Sequence, residues 1–350
     1  MKKVLSLILI LTMLLSFAAC GQTGDIATTT PVTTEEPVLQ ITEAPGYYPI
    51  TVTDQAGREV TIAQEPQRII TAYYITSSLL IALDLDNQIV GIENNPEKRA
   101  IYGLSSPELL TLPQIGTAKE LDIEACAALE PDLLVLPMKL KNAVPPLEEL
   151  GLTVLLVDPE DQQRLNGMIQ LVGQATNRND LAESLLAWIA QQQAFLADTL
   201  TDIDMPTVYL AGNSSMLKTA GDAMYQADMI RLAGGSNVAG AIEDTYWAEI
   251  DYEQLLAWDP EYIILAAEAT YTVEDVLNDP NLADCKAVVS GNVYRLPNQA
   301  EAWDSPVPGS ILGALWLSNI LHPDKLSDAE STARMNEFYE TFYHFTYSEN

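Results

Sequence analysis

The feature that most restricts this chain is a segment that occurs twice. "DIEACAALEPDLLVL" begins at Asp122 and "DYEQLLAWDPEYIIL" at Asp251, a constant offset of 129 residues. Each reads Asp-x-Glu, a short helical stretch with Ala at the seventh place, acid-Pro-acid, then a β-rich apolar run. Asp suits a helix N-cap, Pro ends the helix, and the apolar run suits a buried strand. Each half can reach that helix-turn-strand grammar independently, but similarity at a fixed offset points to two related units. Between the copies lies "NDLAESLLAWIAQQQAFLADTL", with apolar residues at three- and four-residue spacing and no Gly or Pro. It predicts one unbroken helix about 30 Å long, capped by Asn179, that serves as a strut between the units.

The flanking sequence alternates strand-length apolar runs with helical patterns. Strands are expected at Ile50–Thr53, Glu59–Ile62, Arg68–Ala72, Val90–Ile92, Leu133–Pro137 and Val154–Asp158 in the first half. The second half offers Val208–Ala211, Tyr262–Ala266 and Val293–Leu296. Helices are expected between them, starting with Ser77–Leu83, and a final one over about Ser327–Tyr343. Such alternation implies parallel βαβ units. The predicted fold class is α/β: two βαβ lobes with central, mainly parallel sheets, joined by one long rigid interlobe helix. The boundaries are an N-terminal lobe over 47–176, a linking helix over 177–203, and a C-terminal lobe with a terminal helix over 204–350.

The first 46 residues follow a different logic. Lys2 and Lys3 precede an almost wholly apolar Val4–Phe17, then the small residues Ala18 and Ala19 before Cys20. That is the order of an export signal, 1–19, and its apolar run is shorter than the roughly 20 residues a spanning helix needs. Residues 20–46 hold Cys20 and a Thr/Pro/Glu-rich stretch with little to bury, which reads as a flexible tether.

The net charge of −32 argues against a nucleic-acid partner and suits an exported, soluble protein. Three cysteines are too few for a disulfide scaffold. Cys126 and Cys285 read as small buried hydrophobes, with a bond between them left open. The two histidines, His322 and His344, both lie near the C-terminus, which disfavours a histidine-centred metal cluster or a Ser-His or Cys-His catalytic pair. "LAGGSNVAG" lacks the strand-then-GxGxxG setting of a dinucleotide site and suits a helix end. No catalytic residues, cofactor or protein-held metal are expected, and the chain reads as a binding protein.

Ligands of open α/β sheets sit where strand C-termini turn into helices. The loops there are "AYYITS", "ENNPEK", "PMKLK", "AGNSSM", "AAEATY" and "PNQAEAWDSP". They nominate Tyr73, Tyr74, Lys139, Asn213, Trp303 and Asp304 as ligand contacts. Tyr and Trp offer an apolar face with a polar handle, and Lys139 an anion partner. The alternatives are core packing for the aromatic residues, solvation for Lys139, and capping of the next helix by Asp304 or Ser305.

Together, "TVTDQAGREVTI…EPQRII", the duplicated segments, the unbroken helix, "LAGGSNV" and "GNVYRLP" resemble the ABC-transporter solute-binding proteins for ferric siderophores, haem, cobalamin and, in some branches, oxyanions such as molybdate. The likeness spans roughly residues 48–322. It implies an extracytoplasmic receptor that captures a metal complex, foremost a ferric siderophore type, between lobes that close little. A cell-surface hydrolase on a similar scaffold is the alternative. The resemblance also implies an ABC permease and ATPase as partners, a monomer, and docking through one glutamate per lobe, at Glu124 and Glu253. The alternative for those two is a first-turn acid stabilised by the helix dipole. "FAAC" resembles a lipoprotein box, with Phe17 in place of the usual aliphatic residue, and implies a lipid on Cys20 that moors the protein to the outer face of the cell membrane.

Overall fold

Two four-stranded parallel sheets, one on each side of the long helix in the chain, organise the protein. The computed structural model describes residues 46–243 and 247–348. The signal, Cys20 and nearly all of the tether fall outside them. The first half runs through a hairpin of β1 (Ile50–Thr53) and β2 (Glu59–Ile62), then β3 (Ile69–Thr71), α1 (Tyr74–Ala82), β4 (Ile89–Gly91) and α2 (Ala100–Ser105). It continues through α3 (Ile123–Ala128), β5 (Leu133–Pro137), α4 (Val144–Glu149), β6 (Val154–Val157) and α5 (Gln162–Ala175). Its sheet has the order β4-β3-β5-β6, all parallel.

After α6 (Asn179–Thr199) come β7 (Thr207–Ala211), β8 (Lys218–Ala220), α7 (Tyr225–Leu232), β9 (Ser236–Asn237), β10 (Trp247–Glu249) and α8 (Tyr252–Trp258). Then follow β11 (Tyr262–Leu265), α9 (Val273–Leu277), α10 (Lys286–Ser290), β12 (Val293–Arg295), α11 (Ile311–Leu321) and α12 (Asp328–Phe342). This second parallel sheet has the order β12-β11-β7-β9.

The strands read as unbroken apolar runs because both faces of each sheet are covered. Leu133 and Val135 face a large shared core, while Leu134 and Leu136 face a separate cluster with Cys126. In the second sheet, Val208, Leu210 and Ile264 join the shared core, and Tyr209, Ile263 and Leu265 pack around Cys285. Both cysteines are free and buried, one in each outer cluster.

The duplicated segments take the same local form. The Asp122 and Asp251 carboxylates accept from the amides of Ala125 (2.9 Å) and Gln254 (2.8 Å), capping α3 and α8. Glu130 and Asp259, each just before a proline, both adopt left-handed backbone, with φ of 46° and 45°. The second acid of each acid-Pro-acid then ties down the neighbouring strand. Asp132 accepts from the Gln67 and Arg68 amides before β3, and Glu261 from the Thr207 amide of β7.

The strut buries Leu185, Trp188, Ile189 and Leu196 and is braced by α12. Arg334 lies 3.3 Å over the Phe195 ring and donates to Gln192, while Trp188 packs 4.9 Å from Phe338. Asn179 is not the cap. Arg178 occupies that position, and Asn179 is helical and donates from its side chain to the Tyr47 hydroxyl. Helix α1 begins at Tyr74, three residues before the expected Ser77, because the Tyr73 carbonyl accepts from the Thr76 and Ser77 amides. The β8–β10 pair and helices α2, α9 and α10 have no counterpart in the sequence pattern, since three to six residues carry too little periodicity to read.

Candidate ligand-binding site

Strand order reverses between β3 and β5 and again between β7 and β11, and a parallel sheet opens a crevice at such a switch point. Residues that follow β3, β4, β11 and β12 line a small interlobe cavity of about 50 Å³. It is lined by Tyr74, Lys98, Arg99, Ala100 and Ile101 from the first lobe, and by Glu268, Asn298, Ala300, Glu301 and Ala302 from the second.

Local sequence sets up the cationic wall. Asn95 adopts a left-handed conformation that Asn tolerates, Pro96 stiffens the following turn, and Arg99 emerges at the foot of α2. The Arg99 guanidinium lies 3.9 Å over the Tyr74 ring and 2.6 Å from the Glu268 carboxylate, so one side chain touches both lobes. Burial pushes the Tyr74 phenol above its ordinary pKa, partly offset by a hydrogen bond with the Ser305 side chain and the charge of Arg99.

Two buried acids back this wall. Glu93 accepts from the Tyr102 hydroxyl and the Ser77 hydroxyl, and burial raises its pKa. Glu301 meets the Ser78 hydroxyl of α1, and burial pushes its carboxyl up to about 7.

The six nominated ligand contacts do not form one cluster. Tyr74 lines the cavity. Tyr73, its ring 5.8 Å away edge-to-face, lines a separate hollow with Lys139, which is 3.6 Å from Glu160. Trp303 is buried behind the cavity, donating to the Tyr339 hydroxyl. Asp304 is buried beside it, accepting from the Ala267 amide, and burial pushes its carboxyl up to about 6. Neither Asp304 nor Ser305 caps α11, whose N-cap position is Ser310. Asn213 is exposed, and its carbonyl accepts from Thr270.

Glu124 and Glu253 are exposed in the first turns of α3 and α8. Neither histidine lines the cavity. His322 is buried with its ring 3.1 Å from the Gly234 carbonyl, and the His344 ring is 3.0 Å from Asp84.

Sequence reading missed Arg99, Glu268 and Glu301. The last two stand within loops it had singled out, and Arg99 one residue beyond "ENNPEK". A larger groove of about 600 Å³ includes Pro206, Glu261 and Asn292, just before β7, β11 and β12. It thus lies at the strand N-terminal ends, opposite to where such sheets bind ligands.

Comparison with known proteins agrees with this architecture. Residues 69–300 match the family described as periplasmic binding protein, and the chain belongs to it. The molybdate-binding protein MolA of Haemophilus influenzae is 26% identical over 323 residues, covering 85% of this chain and 91% of MolA. A cobalamin-binding protein of Halobacterium salinarum is 23% identical over 288 residues, covering 79% and 74%. The crystal structure of a periplasmic solute-binding protein from Veillonella parvula superposes with a TM-score of 0.74 at 25% identity, covering 86% of this chain and 94% of that one. MolA bound to molybdate superposes with a TM-score of 0.76 at 24% identity, covering 86% and 100%.

Proposed function

We propose that this protein is the extracytoplasmic receptor of an ABC importer and captures a metal-containing anion in the interlobe crevice. Arg99 carries this reading, as a guanidinium pre-oriented on Tyr74 and held at the wall of a cavity that both lobes build. Its charge is met by Glu268, and an incoming anion takes that carboxylate's place.

The cavity of about 50 Å³ favours a compact oxyanion of the molybdate type over the ferric siderophore expected first. Pockets that hold drug-sized ligands measure roughly 300–1,000 Å³, so a siderophore, haem or corrinoid requires wider separation of the lobes. The molybdate-binding relative supports the same choice. The metal is cargo, and the protein performs no chemistry on it.

Glu124 and Glu253 serve as the two permease contacts in this account, which their exposure on equivalent capped helices supports. Cys20 carries the lipid, so Cys20→Ala releases the protein from membranes without changing ligand affinity; continued membrane retention would argue against the anchor. A thermal-shift and native mass-spectrometry screen against molybdate, tungstate, sulfate, a ferric siderophore, haem and cobalamin tests the cargo. Selective stabilisation by molybdate or tungstate is expected. Stabilisation by the siderophore, haem or cobalamin alone, or turnover of an added substrate, would overturn it.

A further inference from the structure

The crevice contains a carboxyl whose surroundings suit a neutral acid better than a charge. Glu301 is 7% exposed and lines the same cavity as Arg99. Its Oε1 meets the Ser78 hydroxyl, which in turn lies 2.7 Å from the Tyr343 hydroxyl. Its Oε2 has no hydrogen-bond partner among the described residues and faces Gly309, where an added Cβ would sit 3.1 Å from it and 3.0 Å from Phe338.

An ionised Glu301 leaves a bare anionic oxygen against that apolar wall, which is costly. A proton on Oε1 resolves the arrangement. Glu301 then donates to Ser78, Ser78 donates to Tyr343, and Oε2 becomes a carbonyl oxygen. The groups facing Glu301 are Ser78 on α1, Tyr339 and Tyr343 at the end of α12, and Arg99 across the cavity, with Lys98 and Glu268 on the same lining.

We infer that Glu301 is the proton-binding partner of Arg99: when an anion enters the cavity and claims the guanidinium, Glu301 takes up one proton from solvent. This rests on the anion reading above. Arg99 is the cation that favours ionised Glu301, so drawing its charge to a ligand and adding a negative charge nearby both favour the acid. At low pH the acid is already formed and affinity is flat. Above neutrality each anion brings up to one proton with it, and affinity falls by at most about tenfold per pH unit.

The test is calorimetric titration of molybdate, whose own charge is constant over the range, at pH values from 6 to 8.5. Each is run in two buffers with different ionisation heats, on the wild type, Glu301→Gln and Arg99→Gln. The wild type is expected to lose roughly three- to tenfold in affinity from pH 6.5 to 8.5 while taking up protons, and Glu301→Gln to lose both effects. Carbon-13 NMR of labelled glutamate follows Glu301 in the ligand-free protein, where a titration near 7 is expected.

Binding without proton uptake, or uptake that persists in Glu301→Gln, overturns the coupling and leaves the anion reading intact. A failure of any anion to bind overturns both. A ligand-free titration in the ordinary glutamate range overturns the role of Glu301 irrespective of ligand.

Discussion

Arg99 and Glu268 meet at 2.6 Å across the crevice, one from each lobe, and this pair both links the lobes and occupies the charge an anionic ligand would use. Its partners are about a quarter and two-fifths exposed, so the bridge itself contributes little stability, about 0–1 kcal/mol. Glu268→Gln removes a competitor without removing the cation. It should tighten molybdate binding by roughly three- to tenfold while stability in denaturant changes by less than about 1 kcal/mol. Weaker binding in that variant would mean that Glu268 holds Arg99 in place for the ligand.

Glu301 makes stability depend on pH in a defined direction. Its carboxyl is raised from 4.5 to about 7 in the folded protein, so the folded state holds its proton more tightly than the unfolded chain. That contribution is complete below the unfolded value, declines as pH rises from about 4.5 to 7, and is absent above. Its size is on the order of 3 kcal/mol. Urea denaturation of wild type and Glu301→Gln from pH 4.5 to 8 should show the difference between them changing in that window. Parallel curves would contradict the buried-acid account.

The hairpin before the first sheet rests on one carboxylate. Asp54 is buried and accepts from the Ala56, Arg58 and Leu156 amides and from the Arg58 guanidinium, tying the turn to β6. Asp54→Ala strands these donors and should cost about 2–4 kcal/mol in chemical denaturation. A loss below 1 kcal/mol would show that water replaces the carboxylate without penalty.

The architecture was legible where the physics is periodic and two-sided. Leu133–Pro137 read as a buried strand because each residue packs on one face or the other, and the strut because twenty residues repeat one apolar stripe. The duplicated segment disclosed paired caps, but not that Asp132 and Glu261 tie neighbouring strands together, a tertiary contact that helix-turn-strand grammar does not encode. The site was less legible. Arg99 gains meaning only through Tyr74 and Glu268, residues distant in sequence. Glu301 is one of 49 acidic residues, nothing in its neighbours marks it as buried, and Trp303 and Asp304, which stood out by type, lie behind the cavity.

On the proposed reading, docking is separate from capture. Glu124 and Glu253 project from α3 and α8, and neither lines the cavity. Reversing both charges should abolish uptake in cells while molybdate affinity stays within about twofold of wild type, or ~0.4 kcal/mol. Transport at the wild-type rate in the double variant would remove both residues from the permease interface.

The central claim is that Arg99 holds an anion between the lobes. Calorimetric titration of molybdate into the wild type and Arg99→Gln at pH 6.5 tests it most directly. The account predicts saturable one-to-one binding by the wild type and a loss of at least about tenfold, or ~1.4 kcal/mol, in the variant. Equal affinity in the two proteins, or no binding by the wild type, would contradict it.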